Sequence, residues 1–312
     1  MKRFLKYCII FISFTTLFYL VGLIVYTIFL PSGLTKNIQY HLGGIGQMNS
    51  RIKNIKDFKN CDIVFLGSSH TYRGFDNRIF SKENLKCFNL GSSSQTPIQT
   101  EMLVDKYVDF LNPKTIIYEV YPITFTEDGV ESALDLLAND PIDRNTLKMV
   151  LKLNHIKVYN TFLYGYFRQL FSMDKDFTEA QKNDEDTYID GGFVEKKLTY
   201  YDRDSQYVSK HLGFNKNQIL AFDRTLNKLK QRGINIILVQ APVTHHLYQS
   251  FSNTFETDNF FITRNSNYFN FNKLMQVDDH QHFFDADHLN QNGVQIFNSS
   301  LIDLLKQKGI IK

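Results

Sequence analysis

The sequence predicts an α/β protein: a mostly parallel sheet covered by helices, preceded by a single membrane-spanning helix. Three observations lead there. Short apolar runs that stop at Gly or Pro suit strands buried on both faces, and the segments between them repeat apolar residues at helical spacing. The first thirty residues hold an unbroken apolar stretch. The chain has 312 residues, 43% hydrophobic and 21% charged, which is enough material for a sizeable core.

Tyr7 to Leu30 carries no charge and follows Lys2, Arg3 and Lys6. At about 1.5 Å per helical residue it spans roughly 36 Å, enough to cross a ~30 Å hydrocarbon core. The basic residues before it place the N-terminus in the cytoplasm and the remainder on the other side. A cleaved signal peptide is the competing reading, but its apolar region is shorter and ends in small residues, unlike Tyr26-Thr27-Ile28-Phe29-Leu30-Pro31. The expected location is the cell membrane, single-pass, with an extracytoplasmic body. The chain holds 35 Lys+Arg and 32 Asp+Glu; without Lys2, Arg3 and Lys6 the balance is 32 to 32. A neutral body lacks the basic face that a nucleic-acid binder needs, so that class is excluded.

Residues 31–60 read as a stalk, broken by Pro31, Gly33, Gly43, Gly44 and Gly46 and solvated by Arg51, Lys53, Lys56 and Lys59. Residues 61–312 form the α/β domain. Ile63-Val64-Phe65-Leu66 is the first strand, closed by Gly67, and Cys87-Phe88-Asn89-Leu90 is the second, closed by Gly91. Cys61 and Cys87 read as small buried residues. Thr96-Pro97-Ile98-Gln99 is a capping box with Pro at the first helical position; it opens a helix carrying Met102, Leu103, Tyr107 and Phe110. Thr115 to Tyr121 is a third strand stopped by Pro122. Ile219, Phe222, Leu226 and Leu229 mark a helix around 217–232 that ends before Gly233, and Ile234 to Val239 is the fourth strand. Phe283-Phe284 is read as a fifth. The last helix carries Val294, Phe297, Leu301 and Leu304, with Asn290 as its cap. Between these halves, residues 123–213 lose the alternation and read as an insertion that walls the site.

Ligand sites in such sheets gather at the carboxyl ends of the strands. The first strand delivers Ser68-Ser69-His70, the second Gly91-Ser92-Ser93-Ser94, the fourth Thr244-His245-His246, and the final segment Asp285-Ala286-Asp287-His288. A serine hydroxyl needs a base to take its proton, and the base needs a carboxylate to fix its tautomer. His288 suits the first role, and Asp285, three residues earlier, suits the second if the segment turns. Asp287 is the weaker orienter, because adjacent side chains diverge. The backbone N–H groups of Ser69 and Gly91 are candidate oxyanion donors. His245 and His246 read as loop or substrate-contacting residues, and Glu119 as a structural cap or pair.

Gly67-Ser68-Ser69 after a buried strand, Gly91 after the next, and Asp285-x-x-His288 before the last helix resemble the SGNH, or GDSL-type, hydrolase superfamily. The resemblance implies a flavodoxin-like three-layer fold, with Ser69 as nucleophile, Gly91 as oxyanion donor, and Asp285 and His288 completing the triad. This chain has Ser68 where the family usually has Asp, and no match to its Asn block, so Asn89 is the substitute third donor. Both departures are similar to the membrane-anchored branch that acts in alginate O-acetylation and lipoteichoic-acid D-alanylation. That likeness implies acyl transfer on or off an envelope polysaccharide, with a membrane partner supplying the acyl group and no cofactor. Two other readings stay open. Asp278-Asp279-His280-Gln281-His282, with Asp285, Asp287 and His288, offers ligands for a metal-dependent hydrolase. A non-catalytic glycan-assembly protein on a degenerate hydrolase fold is the other.

Overall fold

The computed structural model describes residues 1–30, 34–203 and 207–311. Pro31 and Gly33, two of the expected stalk breakers, lie outside them. Eight strands are described: β1 Ile63–Leu66, β2 Cys87–Asn89, β3 Thr115–Glu119, β4 Lys182–Asn183, β5 Asp186–Ile189, β6 Phe193–Lys196, β7 Asn235–Gln240 and β8 Tyr268–Asn270. The helices are α1 Lys2–Phe29, α2 Met48–Asn54, α3 Ser69–Gly74, α4 Asn77–Ser81, α5 Pro97–Leu111, α6 Val130–Asn139, α7 Arg144–Leu153, α8 Ile156–Leu170, α9 Lys216–Gln231, α10 His245–Ser250, α11 Thr254–Ile262, α12 Phe271–Leu274 and α13 Gln291–Gln307.

Five strands make one parallel sheet in the order β2-β1-β3-β7-β8. The strand order reverses beside β1, so the crevice at the carboxyl ends of β1 and β3 is the topological switch point. Alternate residues of each strand feed opposite faces, as the two-residue period requires. Val64, Leu66, Ile116, Tyr118, Ile236 and Leu238 pack with α5 and α9, where Leu103 and Phe222 are fully buried. Ile63, Phe65, Ile117, Ile237 and Val239 pack on the other face against Phe80 of α4 and Phe297 and Leu301 of α13. This three-layer architecture agrees with the sequence reading.

Local chemistry sets the helix starts. Thr96 N–H donates to Gln99 Oε1 at 3.1 Å at the head of α5. The Asn290 side chain accepts from the N–H groups of Asn292 and Gly293 at 3.0 and 3.1 Å, capping α13. Both caps satisfy N–H groups that a helix start leaves without partners.

Three expectations need correction. The fifth sheet strand is β8, not Phe283-Phe284, which makes only an isolated bridge from Phe283 to Leu289. Residues 48–55 are not a solvated stalk, because Met48, Ile52 and Ile55 belong to the core. Arg51 is 0% exposed; its guanidinium donates to the carbonyls of Gly46, Gly91 and Gly192 and lies 4.6 Å from the Tyr72 ring centre. Three carbonyls and an aromatic face replace its water, which is what permits a buried cation. The loose stretch 123–213 contains three ordered helices, α6 to α8, and an antiparallel sheet of β4, β5 and β6. Cys61 and Cys87 are free, buried thiols. The α1 helix is long and apolar enough to cross a membrane.

Candidate active site

The site begins with a tight turn after β1. Gly67 has φ +140, and a Cβ there would lie 2.4 Å from Thr71 Oγ1 and 2.7 Å from Glu119 O, so only glycine fits. Ser68 then caps α3, its hydroxyl accepting from His70 N–H at 3.4 Å. Ser69 is thereby fixed at the first position of α3. Its own N–H meets no protein acceptor among the described residues.

The partner arrives from the other end of the chain. Asp285 Oδ1 accepts from the N–H groups of Asp287 and His288 at 3.0 and 2.8 Å, which folds the segment into a turn. Thr244, just after β7, ties this turn down through Ala286 O. His288 Nε2 lies 2.8 Å from Ser69 Oγ, and its Nδ1 lies 3.0 Å from both Asp285 oxygens. Phe284 stacks on the imidazole at 5.4 Å. The structure therefore brings together the three residues expected to form a triad, 219 positions apart at the widest.

Asp287 departs from expectation. Its Oδ1 is also 3.0 Å from His288 Nδ1, while its Oδ2 is 3.5 Å from His70 Nε2 and accepts from Tyr121 OH at 3.4 Å. The tight turn at Asp285 swings the neighbouring side chain inward, so adjacent residues converge here. Burial lowers the His288 pKa, but hydrogen bonds and charge from Asp285 and Asp287 outweigh it and push it up to about 9. Burial acts to raise Asp287, yet donors from His288 and His70 hold it well below the usual carboxylate range.

Behind this lies a polar layer in which only Glu119 was assigned from the sequence, as a structural cap or pair. His70 is buried and stacks on Tyr121 at 4.0 Å. Glu119 is buried, and burial raises its pKa; its Oε2 accepts from Ser68 Oγ at 3.1 Å. His70 Nδ1 and Glu119 Oε1 are buried with no hydrogen-bond partner among the described residues. His70, Glu119 and Tyr121 sit at the ends of β1 and β3, so the strand-end rule that selected Ser69 also points to them.

Four expected site residues do not fit their roles. Gly91 N–H is occupied, donating to Asn89 Oδ1 at 3.0 Å. A Cβ at Gly91 would meet Thr71 Cβ at 2.7 Å and Ser68 O at 2.9 Å, so this glycine serves the close approach of β2 to α3. Asn89 is fully buried, its amide donating to Thr71 O at 2.8 Å, which locks α3 to β2 and turns it from the cleft. His245 and His246 do not line the cleft. Their loop enters α10 and faces solvent, where His246 Nδ1 lies 3.0 Å from Asp279 Oδ2 and His245 Nε2 lies 2.7 Å from Gln249 Nε2.

The 278–282 cluster is likewise tied into local structure: Asp278 accepts from the N–H groups of His280 and Gln281, and His280 Nδ1 lies 3.0 Å from Tyr201 O. Among the described residues, the group whose ligand atoms lie within 4.8 Å of one another is His70, Asp287 and His288. The cleft over Ser69 has a volume of about 550 Å³. The insertion supplies one wall that includes Thr124, Glu127, Asp128 and Glu131, and other walls include Ile45, Tyr72, Arg73, Ser93, Tyr121 and Phe284. A serine, an imidazole and two carboxylates in this order can carry nucleophilic acyl chemistry.

No family model matches this chain, and no curated protein does. Solved structures similar to it include a candidate acylhydrolase from Bacteroides fragilis (10% identity, 86% of this chain and 99% of that one, TM-score 0.44). A GDSL-like lipase from Bacteroides thetaiotaomicron is also similar (10% identity, 84% of this chain and 98% of that one, TM-score 0.41). The chemistry of this chain is read from its own residues.

Proposed function

We propose that the chain is a serine-dependent esterase or O-acyltransferase of the SGNH type, held at the cell membrane by α1 and acting on an acylated cell-envelope polysaccharide from the extracytoplasmic side. The observation that carries the proposal is the 2.8 Å approach of His288 Nε2 to Ser69 Oγ, with His288 Nδ1 held by carboxylates. At neutral pH the raised pKa keeps His288 as imidazolium. Its loss of a proton to solvent gives the base. Ser69 Oγ then attacks the ester carbonyl while its proton passes to Nε2, and the carbonyl oxygen becomes an oxyanion facing the Ser69 N–H. The C–O bond to the leaving alcohol breaks as His288 returns that proton. Water or a sugar hydroxyl, deprotonated by the same imidazole, releases the acyl group from Ser69. The membrane anchor and the cleft wall of 123–131 fit a polymer substrate presented beside a membrane, and a membrane partner supplying acyl groups belongs to the transferase form.

A fluorophosphonate probe tests this. The wild-type protein takes one adduct at Ser69, and Ser69→Ala takes none. An unlabelled wild type, or labelling unchanged in Ser69→Ala, rejects the serine mechanism and favours a non-catalytic glycan-binding protein. Activity that falls on chelation and returns with Zn²⁺ favours a metal reading at His70, Asp287 and His288.

A further inference from the structure

Helix α8 wears its apolar stripe on the outside. Ile156, Leu163, Tyr166 and Leu170 fall on one line of the helix, and Ile156, Tyr166 and Leu170 are 54, 50 and 65% exposed, while Tyr159 on the same line packs partly against the core. The side facing the domain holds Val158, Asn160, Thr161, Tyr164 and Gly165. A water-facing helix has the reverse arrangement. Phe171 and Met173 extend the exposed apolar surface past the helix end.

What covers this stripe follows from its neighbour. One groove, of about 650 Å³, has Phe18, Tyr19, Ile156 and Asn160 in its walls. The next, of about 360 Å³, has Thr27, Leu30, Tyr164 and Arg168. The two helices therefore run side by side in the same direction. Polar groups between them are satisfied internally: Tyr19 OH donates to Asn160 Oδ1 at 2.5 Å, Asn160 Nδ2 to Asn37 O at 3.1 Å, and Gln39 N–H to Thr161 Oγ1 at 3.1 Å. The lysines near the α7–α8 corner are also engaged, Lys152 by Glu101 and Lys157 by Gln39 Oε1.

A span needs about 20 apolar residues, and the uncharged stretch begins after Lys6, so the span reaches roughly Tyr26 and includes Phe18 and Tyr19. A helix that packs beside those residues enters the same leaflet. We infer that the outward face of α8 lies against lipid at Ile156 and rises to the headgroup boundary by Leu170, making the insertion a membrane-embedded support next to the anchor rather than a purely aqueous cap. This rests on the reading of α1 as a spanning helix. The occupant is the acyl-chain and headgroup boundary of the leaflet on the domain side, the environment of interfacial helices with aromatic and aliphatic faces.

Site-directed nitroxide labels on the full chain in phosphatidylglycerol-containing vesicles test it. Cys8→Ser removes the reactive thiol of α1. Cys61 and Cys87 are buried, and burial pushes the Cys61 thiol up to about 11, so neither competes for label. Labels go on Ile156→Cys and Leu170→Cys, with Phe11→Cys as the bilayer reference and the exposed Ser299→Cys on α13 as the aqueous one. The expected oxygen-to-nickel accessibility ratio at 156 is at least about fivefold that at 299, approaching the value at 11, and the ratio at 170, where α8 has passed the level of Leu30, falls between those at 156 and 299. A lipid-like ratio at 11 with aqueous ratios at 156 and 170 overturns the inference and leaves the anchor standing. Aqueous ratios at all four positions overturn both. An unchanged thermal midpoint in each variant shows that the label has not disturbed the fold.

Discussion

Two histidine–carboxylate pairs sit at the carboxyl edge of the same sheet. His288 lies 3.0 Å from Asp285, and His246 lies 3.0 Å from Asp279. By distance they are equivalent, but their surroundings differ. The His288 side chain is 17% exposed, faces Ser69 and is held by a second carboxylate, Asp287. The His246 side chain is 56% exposed and lies in the first turn of α10, where Asp279 accepts from the N–H groups of His245 and His246. A pairing distance alone therefore does not mark an acid–base residue. Burial, a second charge and a hydroxyl within reach make the difference, because charge interactions strengthen when water is excluded.

This contrast yields predictions of graded size. The largest concerns Ser69→Ala and His288→Ala, each of which should lower kcat/KM by roughly 10³-fold or more, with the double variant little worse than either alone. Circular dichroism should show an intact fold, and additive losses would break the idea that the two residues act as a unit. Next is Asp285→Asn, which keeps its shape but loses the charge that fixes the His288 tautomer; about 10²–10⁴-fold of turnover should go.

Asp287→Asn is smaller in rate, about tenfold, and is better read from pH. With His288 raised to about 9, only its neutral form accepts the Ser69 proton, so wild-type kcat/KM should climb with pH through 7 to 9 and level off above. Removing the Asp287 charge removes one cause of the raised pKa, so that limb should move to lower pH. An unmoved limb would mean that Asp285 alone sets the imidazole. The same sign governs stability. The His288 contribution is fully present below about 6.5, its ordinary value, and is lost as pH rises through about 9, so the thermal midpoint should fall over that window. The smallest effect belongs to His246→Ala and His245→Ala. Each should leave kcat/KM within about twofold, since solvated loop pairs contribute little.

The strands and caps were legible because they depend on local rules. Gly67 closes β1, the Thr96 box starts α5, and Asn290 caps α13, each within a few residues of sequence. The Ser69–His288 pairing was legible too, because parallel strands carry their ends to one edge. The insertion was harder. Helix α8 buries Val158 and Tyr164 beside Asn160, Thr161 and Gly165 and leaves Ile156, Tyr166 and Leu170 exposed, so its apolar residues lie on both sides and gave no single core face to read. Arg51 looked like a solvated residue because nothing nearby in sequence announces the carbonyls of Gly91 and Gly192 that enclose it.

Residue order, periodicity and turn chemistry thus determined the α/β class, the apolar N-terminal helix and the short set of groups able to do acyl chemistry. Tertiary structure decided how those groups are used. It consumed the Gly91 N–H on Asn89, swung Asp287 onto His288, placed His70 and Glu119 behind them, and sent His245 and His246 to solvent. The physical reason is that backbone preference acts over a few residues. Donor occupancy, burial and pKa depend on groups brought together from distant parts of the chain, and no local pattern encodes them.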